Sequence, residues 1–356
     1  MPVDISHLRY VPTLQVRPAE MNALQELPDQ DKNQILPVVL LGSWVNSHQL
    51  SKTTDRLYAA FPGRPWIADL SSSQNEPSVR RPVHDELEGL VDPKNGFGNW
   101  CSFIEEQPLA IPCLRLENPS ELRDQIRQLQ SYDRGLVVRL QRALMPILPQ
   151  VLSALRRYEQ ENLVVILEQG QVGRDILSRA AEITQDIRQI NEALPGAAIV
   201  LSATSFPFSF TNLSFQDIYE RIFFQTVKQA IPQVKLVYGD HGSARDETRK
   251  GGGIPAPRID YPLRTEWKFF RSEDNTGEMV AGYKAVAKAL KGSRDWDPRL
   301  RIWGTQMIER TAAGDPFAIS SPARSTAARI NIHLHRQLFY DDPDDKMYET
   351  DDDWID

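Results

Sequence analysis

Cysteine is almost absent from this chain: Cys101 and Cys113 are the only two, and they form no Cys-x-x-Cys pair. Their scarcity excludes a disulfide framework and a thiolate zinc site, and both thiols are expected to be reduced and half buried. No apolar run approaches the roughly 18 residues that a membrane span needs. The opening Met-Pro-Val-Asp-Ile-Ser-His carries no basic stretch leading into an apolar one. A cytoplasmic protein without membrane contact is the expectation. A Walker A loop, a Gly-x-Gly-x-x-Gly fingerprint, a helix-turn-helix pattern and the Gly-x-Ser-x-Gly elbow of serine hydrolases are also missing. No short motif names a reaction.

What is present is the composition of a folded protein. With 41% hydrophobic and 25% charged residues the chain can bury a sizeable core, which excludes disorder of the whole. Its formal charge of -7 is concentrated at one end, because residues 341–356 hold nine acids against Lys346. Without them 40 basic and 39 acidic residues remain. The body is therefore near neutral, so nucleic acid is not indicated by overall charge and only local basic patches could hold it. Residues 341–356 read as a disordered acidic tail following a single domain, 1–340. The tip, Asp351-Asp-Asp-Trp-Ile-Asp356, looks like the partner-recruiting tips of single-strand-binding proteins and points to a protein partner.

Apolar runs bounded by turn signals predict strands at Leu8–Leu14, Ile35–Leu41, Pro65–Leu70, Leu109–Leu116, Gly135–Leu140, Leu163–Leu167, Ala198–Ser202 and Lys235–Tyr238. Most are rich in β-branched residues and nearly continuous, as strands covered on both faces should be. Between them lie helical patterns. Asn118-Pro-Ser-Glu121 supplies a cap, a proline at the first helical position and a following acid before Leu122, Ile126 and Leu129. Ser214 and Asp217 repeat that signature before Ile218 and Ile222, and Arg174–Leu194 reads as one long amphipathic helix. Strands alternating with helices predict an α/β fold, and eight of them match a closed (β/α)8 TIM-like barrel. An open doubly wound sheet is the alternative, favoured by Pro37 and Pro112, since a barrel has no edge to accommodate a proline. Insertions after strand 3 (Ser71–Asn99) and strand 8 (Gly251–Arg271) are expected near the carboxyl face, over the site.

Parallel-strand enzymes keep their chemistry at the carboxyl ends of the strands. The polar residues there are Asp69, Arg115, Glu117, Arg139, Glu168, Ser202, Thr204, Ser205, Asp240, His241 and Arg245. Gly239-Asp-His-Gly-Ser-Ala-Arg245 is the densest group. His241 titrates in a useful range, Asp240 or Glu168 would orient it or hold a divalent metal, and the two glycines offer an anion nest. Read instead as a polar turn, the same stretch has its Asp cap the next segment. Arg139 and Arg245 would bind an anion, with Asp69, Arg115, Ser202 and Ser205 lining the pocket. Trp267 lies in Arg258–Arg271, where basic and aromatic residues interleave; that suits either nucleotide binding by stacking or a half-buried hairpin. His333 and His335 face the same way only in an extended segment, where they could bind a metal; on a helix they diverge.

Several stretches resemble the bacterial and phage "beta protein" family. They are Tyr10-Val-Pro-Thr-Leu14 with Arg17, Ala19 and Glu20, then Ile35-Leu-Pro-Val38, Ser202-Ala-Thr-Ser-Phe-Pro207, Tyr238-Gly-Asp240 and Ile332-His-Leu-His335. The likeness spans roughly residues 8–340 and leaves out the tail. It implies a compact barrel-like protein of phage-related gene neighbourhoods, hence a role in anti-phage defence. Two functions stay open. One is a hydrolase of a phosphate-bearing substrate, with His241, Asp240 and Glu168 as catalytic residues; the other is a binding subunit for an anionic small molecule or nucleotide that recruits a partner through its tail.

Overall fold

Each of the eight apolar runs becomes a strand. The computed structural model describes residues 8–71, 79–156, 163–245, 256–272, 279–343 and 345–350. Its strands are β1 (Tyr10–Gln15), β2 (Val38–Leu41), β3 (Trp66–Leu70), β4 (Ala110–Pro112), β5 (Leu136–Gln141), β6 (Leu163–Gln171), β7 (Ala198–Thr204), β8 (Phe215–Asp217), β9 (Leu236–Asp240), β10 (Arg258–Pro262) and β11 (Glu266–Arg271). Parallel pairings set one sheet in the order β4-β3-β2-β1-β9-β7-β6-β5. A parallel bridge from Cys113 to Val137 brings its two ends together, with the Leu114 N–H donating to the Val137 carbonyl at 2.8 Å. The result is an α/β fold built on an eight-stranded, parallel, nearly closed barrel. The end strands of an open doubly wound sheet would stay apart.

The two prolines mark strand limits. Pro37 immediately precedes β2, where its carbonyl accepts from the Ile67 N–H at 2.9 Å, and Pro112 ends β4. A proline gives the ladder no N–H, so β4 is cut to three residues and meets β5 through that single bridge. The ring is thinnest there.

Side chains alternate across each strand, and the packing shows it. Val11, Val38, Leu40, Ile67, Ile111, Cys113, Val137, Val164, Ile166, Ala198, Val200 and Val237 form a cluster of their own, the filled interior of the barrel. Their strand neighbours Tyr10, Leu14, Val39, Leu41, Ala68, Val138, Val165, Ile199, Leu201 and Tyr238 belong to a second, larger cluster that includes the surrounding helices. Gly239 shows how tight the interior is, since a Cβ there would lie 2.9 Å from the Val11 carbonyl and from a Val200 methyl.

Local signals are met in most places. Asn118 accepts the Ser120 N–H, a 3-10 turn covers Pro119–Glu121, and the helix Leu122–Gln130 follows. The expected long helix is split into a 3-10 stretch, Arg174–Arg179, and an α-helix, Ala180–Ala193. Ser214 and Asp217 are not caps. Residues 215–217 form β8, and the helix Tyr219–Ala230 has its first amide satisfied by the Ser205 hydroxyl at 3.1 Å. A tertiary contact replaces the local cap.

Arg258–Arg271 takes the hairpin form. β10 and β11 pair antiparallel and β8 joins them in a three-stranded sheet, with Phe206, Ile218, Trp267 and Phe269 packed together beneath it. Of the insertion after β3, residues 72–78 lie outside the described residues; the rest forms the helices Pro82–Gly89 and Lys94–Glu105. The helix Pro322–Leu338 begins with Ser321 capping the Arg324 N–H and Pro322 in the first turn, and it packs against β10 and the helix Pro18–Gln25.

The expected disorder of the tail does not hold as far as residue 350, apart from Asp344, which lies outside the described residues. Asp345–Tyr348 is a helical turn whose Met347 is buried and whose Met347 carbonyl lies 2.9 Å from His335 Nε2. Tyr348 donates to Asp297 at 2.7 Å, and Thr350 donates to the Arg301 carbonyl. Two side chains that can pack anchor a segment whose charge argues against packing. Asp351–Asp356 lies outside the described residues. Among the described residues, no helix is long and apolar enough to cross a membrane.

Candidate functional site

Strand alternation builds the site. Continuing the inward parity of each strand toward its carboxyl end leads from Ile67 to Asp69, from Cys113 to Arg115, from Val137 to Arg139, from Ile166 to Glu168, from Val200 to Ser202 and from Val237 through Gly239 to His241. An apolar interior layer is thus capped by a polar one, all of it buried.

These residues form a chain of contacts. Asp69 stands between two arginines, taking Arg115 Nη1 on one oxygen and Arg139 Nε on the other, each at 2.6 Å. Arg115 also pairs with the more exposed Glu117, and Gln125 receives the Arg115 N–H at 2.8 Å, fixing that segment. Glu168 is a second hub: it accepts from the Ser202 hydroxyl at 3.0 Å and the Gly170 N–H at 2.8 Å, and it lies 3.0 Å from His241 Nε2. Burial would raise the Glu168 carboxyl, but His241, Arg139 and the Gly170 amide outweigh it and hold the group at about 2. Burial would likewise lower Arg139, yet the Asp69 and Glu168 carboxylates drive it upward. Both stay charged at neutral pH. Ser202 and His241 meet the same carboxylate rather than each other, so this is not the arrangement of an activated serine.

Above Asp69, Arg115 and Arg139 lies a cleft of about 440 Å³. Gln141, Ala143, Leu144 and Leu116 line it on the barrel side, and Ser71, Glu88 and Val91 line it from the insertion after β3. That insertion does reach the carboxyl face. Among the described residues, Arg139 makes its one side-chain bond through Nε, and the Nε of Arg115 is buried without a partner.

Other expected members lie elsewhere. Asp240 has the opposite parity to His241 and points out of the barrel. It accepts from Tyr10 at 2.5 Å, Tyr238 at 2.9 Å and the Gly242 N–H at 2.8 Å, and it lies 2.7 Å from His333 Nε2. Burial raises its pKa, but His333, Tyr10 and the Gly242 amide hold it at about 2. It therefore does not orient His241. The turn that follows, with Gly242 at φ +58° and Ser243 at φ +63°, directs the Gly242 amide to Asp240, so the capped polar turn replaces the anion nest. Ser205 faces away from the mouth; its hydroxyl donates to Glu220 and receives the Tyr219 N–H. Burial raises Glu220 to about 7. Trp267 is fully buried, edge-on to Phe206 and stacked on His333, with no face open to a ligand. Arg245 donates to the Pro207 carbonyl at 2.9 Å, beyond the polar layer.

His333 and His335 sit on the helix Pro322–Leu338 and diverge, His333 to Asp240 and His335 to Asp31 at 2.6 Å. They do not form a metal pair. Among the described residues, no group of three His, Cys, Asp or Glu side chains could hold a metal ion. Both cysteines are buried, and burial raises the Cys101 thiol to about 11 and Cys113 further still. Neither is a reactive thiolate. Gln141 was missed as a lining residue, although its parity with Val137 and Arg139 points to it. Glu88 carried no such signal, because the fold brings it in from a separate helix.

A nearly closed parallel barrel with a charged layer at its carboxyl mouth is the arrangement in which proteins of this architecture build sites on strand ends. The family model described as Beta protein matches residues 10–339, and the chain belongs to that family. It is similar to "Protein beta" of Enterobacteria phage P4, 29% identical over 349 residues that cover 95% of each chain.

Proposed function

We propose that the cleft binds a small anionic molecule bearing a carboxylate or a phosphate. Arg139 carries this reading: among the described residues this buried guanidinium lining the cleft bonds only Asp69, through Nε, which leaves its two terminal nitrogens for a ligand. A planar fork of N–H donors suits paired oxygens of that kind. Asp69 already offsets much of the local charge, so a monoanion fits better than a polyanion. The reading treats residues 1–340 as one TIM-like domain of the cytoplasm. Sequential strand order supports the single TIM-like domain.

Isothermal titration with a panel of carboxylates and phosphate monoesters tests it. Arg139→Gln is expected to weaken binding at least tenfold. Ala143→Trp, at an exposed lining position, should block the cleft without touching the charged residues. Unchanged affinity in both variants discards the reading.

A hydrolytic role rests on a separate observation: the His241–Glu168 pair is coupled to Arg139, an oriented base beside an anion anchor. It requires that His241→Ala abolish turnover of phosphodiesters or nucleotides supplied with Mg²⁺, Mn²⁺ or Zn²⁺ while circular dichroism stays unchanged. No turnover above that variant leaves binding alone. Recruitment of a protein through the acidic tail, residues 341–356, belongs to the binding reading, and equal partner recovery by a chain ending at Tyr340 removes it. The phage origin of the relative supports a phage-related setting. Anti-phage defence is its biological form, tested by plaque counts with and without Arg139→Gln.

A further inference from the structure

On the other flank of the mouth, two arginines meet one carboxylate and a third stands beside them. Asp260 on β10 accepts Arg258 Nε at 2.6 Å and Nη2 at 3.1 Å, and it also accepts Arg329 Nη1 at 2.7 Å from the helix Pro322–Leu338. Arg271 stands opposite Arg258 in the β10–β11 register and uses its guanidinium on the carbonyls of Phe210 and Leu213. Arg258 lies over the Phe210 ring at 3.4 Å and Arg329 over Phe206 at 4.0 Å, so all three guanidiniums gather around the segment 206–213. Arg245 approaches the same Phe210 ring, at 5.2 Å.

Charge here is out of balance. Arg258 and Arg329 share Asp260, and with the neighbouring Arg271 the group carries three positive charges against that one carboxylate, a surplus of two. Arg329 is the buried member, 7% exposed, and its Nε has no partner among the described residues. Burial lowers Arg329 to about 10, and the like charges of Arg258 and Arg245 add to that fall even though Asp260 opposes it. Arg258 is 27% exposed and Arg271 is on the surface, so the group has an open lip and a buried floor. A buried cation whose carboxylate is shared with a second guanidinium is only partly compensated, and a bound anion would restore neutrality.

We infer that Arg258, Arg271 and Arg329 form a binding site for a phosphoryl group, distinct from the Arg139 cleft. A surplus of two charges matches a phosphoryl dianion and exceeds what one carboxylate offsets. The ligand is either free pyrophosphate or the phosphate end of a nucleotide.

Calorimetry on the full chain, with pyrophosphate, a nucleoside diphosphate and acetate at matched ionic strength, decides the matter. In the Ala143→Trp chain, whose cleft is blocked, pyrophosphate is expected to bind and acetate is not. In that chain Arg258→Gln, at a partly exposed position, should weaken pyrophosphate binding at least tenfold, and Arg271→Gln should weaken it severalfold. Equal affinity for pyrophosphate and the diphosphate assigns recognition to the phosphoryl group alone; a tenfold preference for the diphosphate assigns it to a nucleotide. No binding in that chain, or binding equal with and without Arg258→Gln, overturns the inference. Loss of pyrophosphate binding in Arg139→Gln but not in Arg258→Gln moves the ligand to the cleft, which sinks the site while leaving the cleft reading standing.

Discussion

The two flanks of the barrel mouth solve the same problem in opposite ways. On the β3–β6 side, each carboxylate stands between nitrogen-bearing partners: Arg115, Asp69, Arg139, Glu168 and His241 follow one another. On the β10 side, Arg258 and Arg329 crowd onto Asp260, with Arg271 beside them. The difference follows position. Strand parity forces the first set into the barrel, where an uncompensated charge would cost several kcal/mol. The second set straddles the surface, where water screens Arg258 and Arg271 and only Arg329 is deeply enclosed.

The largest expected effect comes from breaking the balanced flank. Asp69→Ala strands two buried guanidiniums and should cost about 3–5 kcal/mol in urea unfolding. The pH dependence comes next. An unfolded glutamate titrates near 4.5, but native Glu168 titrates at about 2, so its contribution is present above 4.5 and is lost as pH falls toward 2. Burial raises Glu20 and Glu220 to about 7, with the opposite sign. The folded state keeps protons that the unfolded chain releases, so stability declines as pH rises from 4.5 to 7. Glu220→Gln should flatten that decline by an amount on the order of 3 kcal/mol. Thermal unfolding across pH 2–8 reads both limbs, and a Glu220→Gln profile that overlays wild type defeats the second. Smallest is Arg258→Gln, expected to cost about 1 kcal/mol because Asp260 keeps Arg329. Equal costs for Asp69→Ala and Arg258→Gln would erase the contrast between the flanks.

The barrel was readable because its strands are continuous apolar runs separated by turn signals, and neither feature depends on distant partners. Most of the mouth was readable too, since Asp69, Arg115, Arg139, Glu168, Ser202 and His241 share one parity with the interior residues before them. Asp240 follows a different rule from its neighbour His241, because adjacent strand residues point to opposite sides and proximity in sequence gives no shared face. His333 and His335 behave as helical neighbours, their helix set by the Ser321 cap and Pro322. The pairing of Asp260 with Arg329 spans 69 positions, and nothing local announces it. The tail misled through its acid count, which obscured Met347 and Tyr348 as anchors.

Pro112 leaves β4 and β5 joined by one main-chain bridge, and Asp69 reaches across that gap from β3 to grip Arg115 on one side and Arg139 on the other. The hoop is therefore fastened as much by a carboxylate clasp as by its backbone. Gradual denaturation should part it there first, with the Leu114 amide exchanging its hydrogen ahead of those in the other strand seams. A molecule seated on Arg139 would act as a second rivet, coupling occupancy to the rigidity of the whole ring.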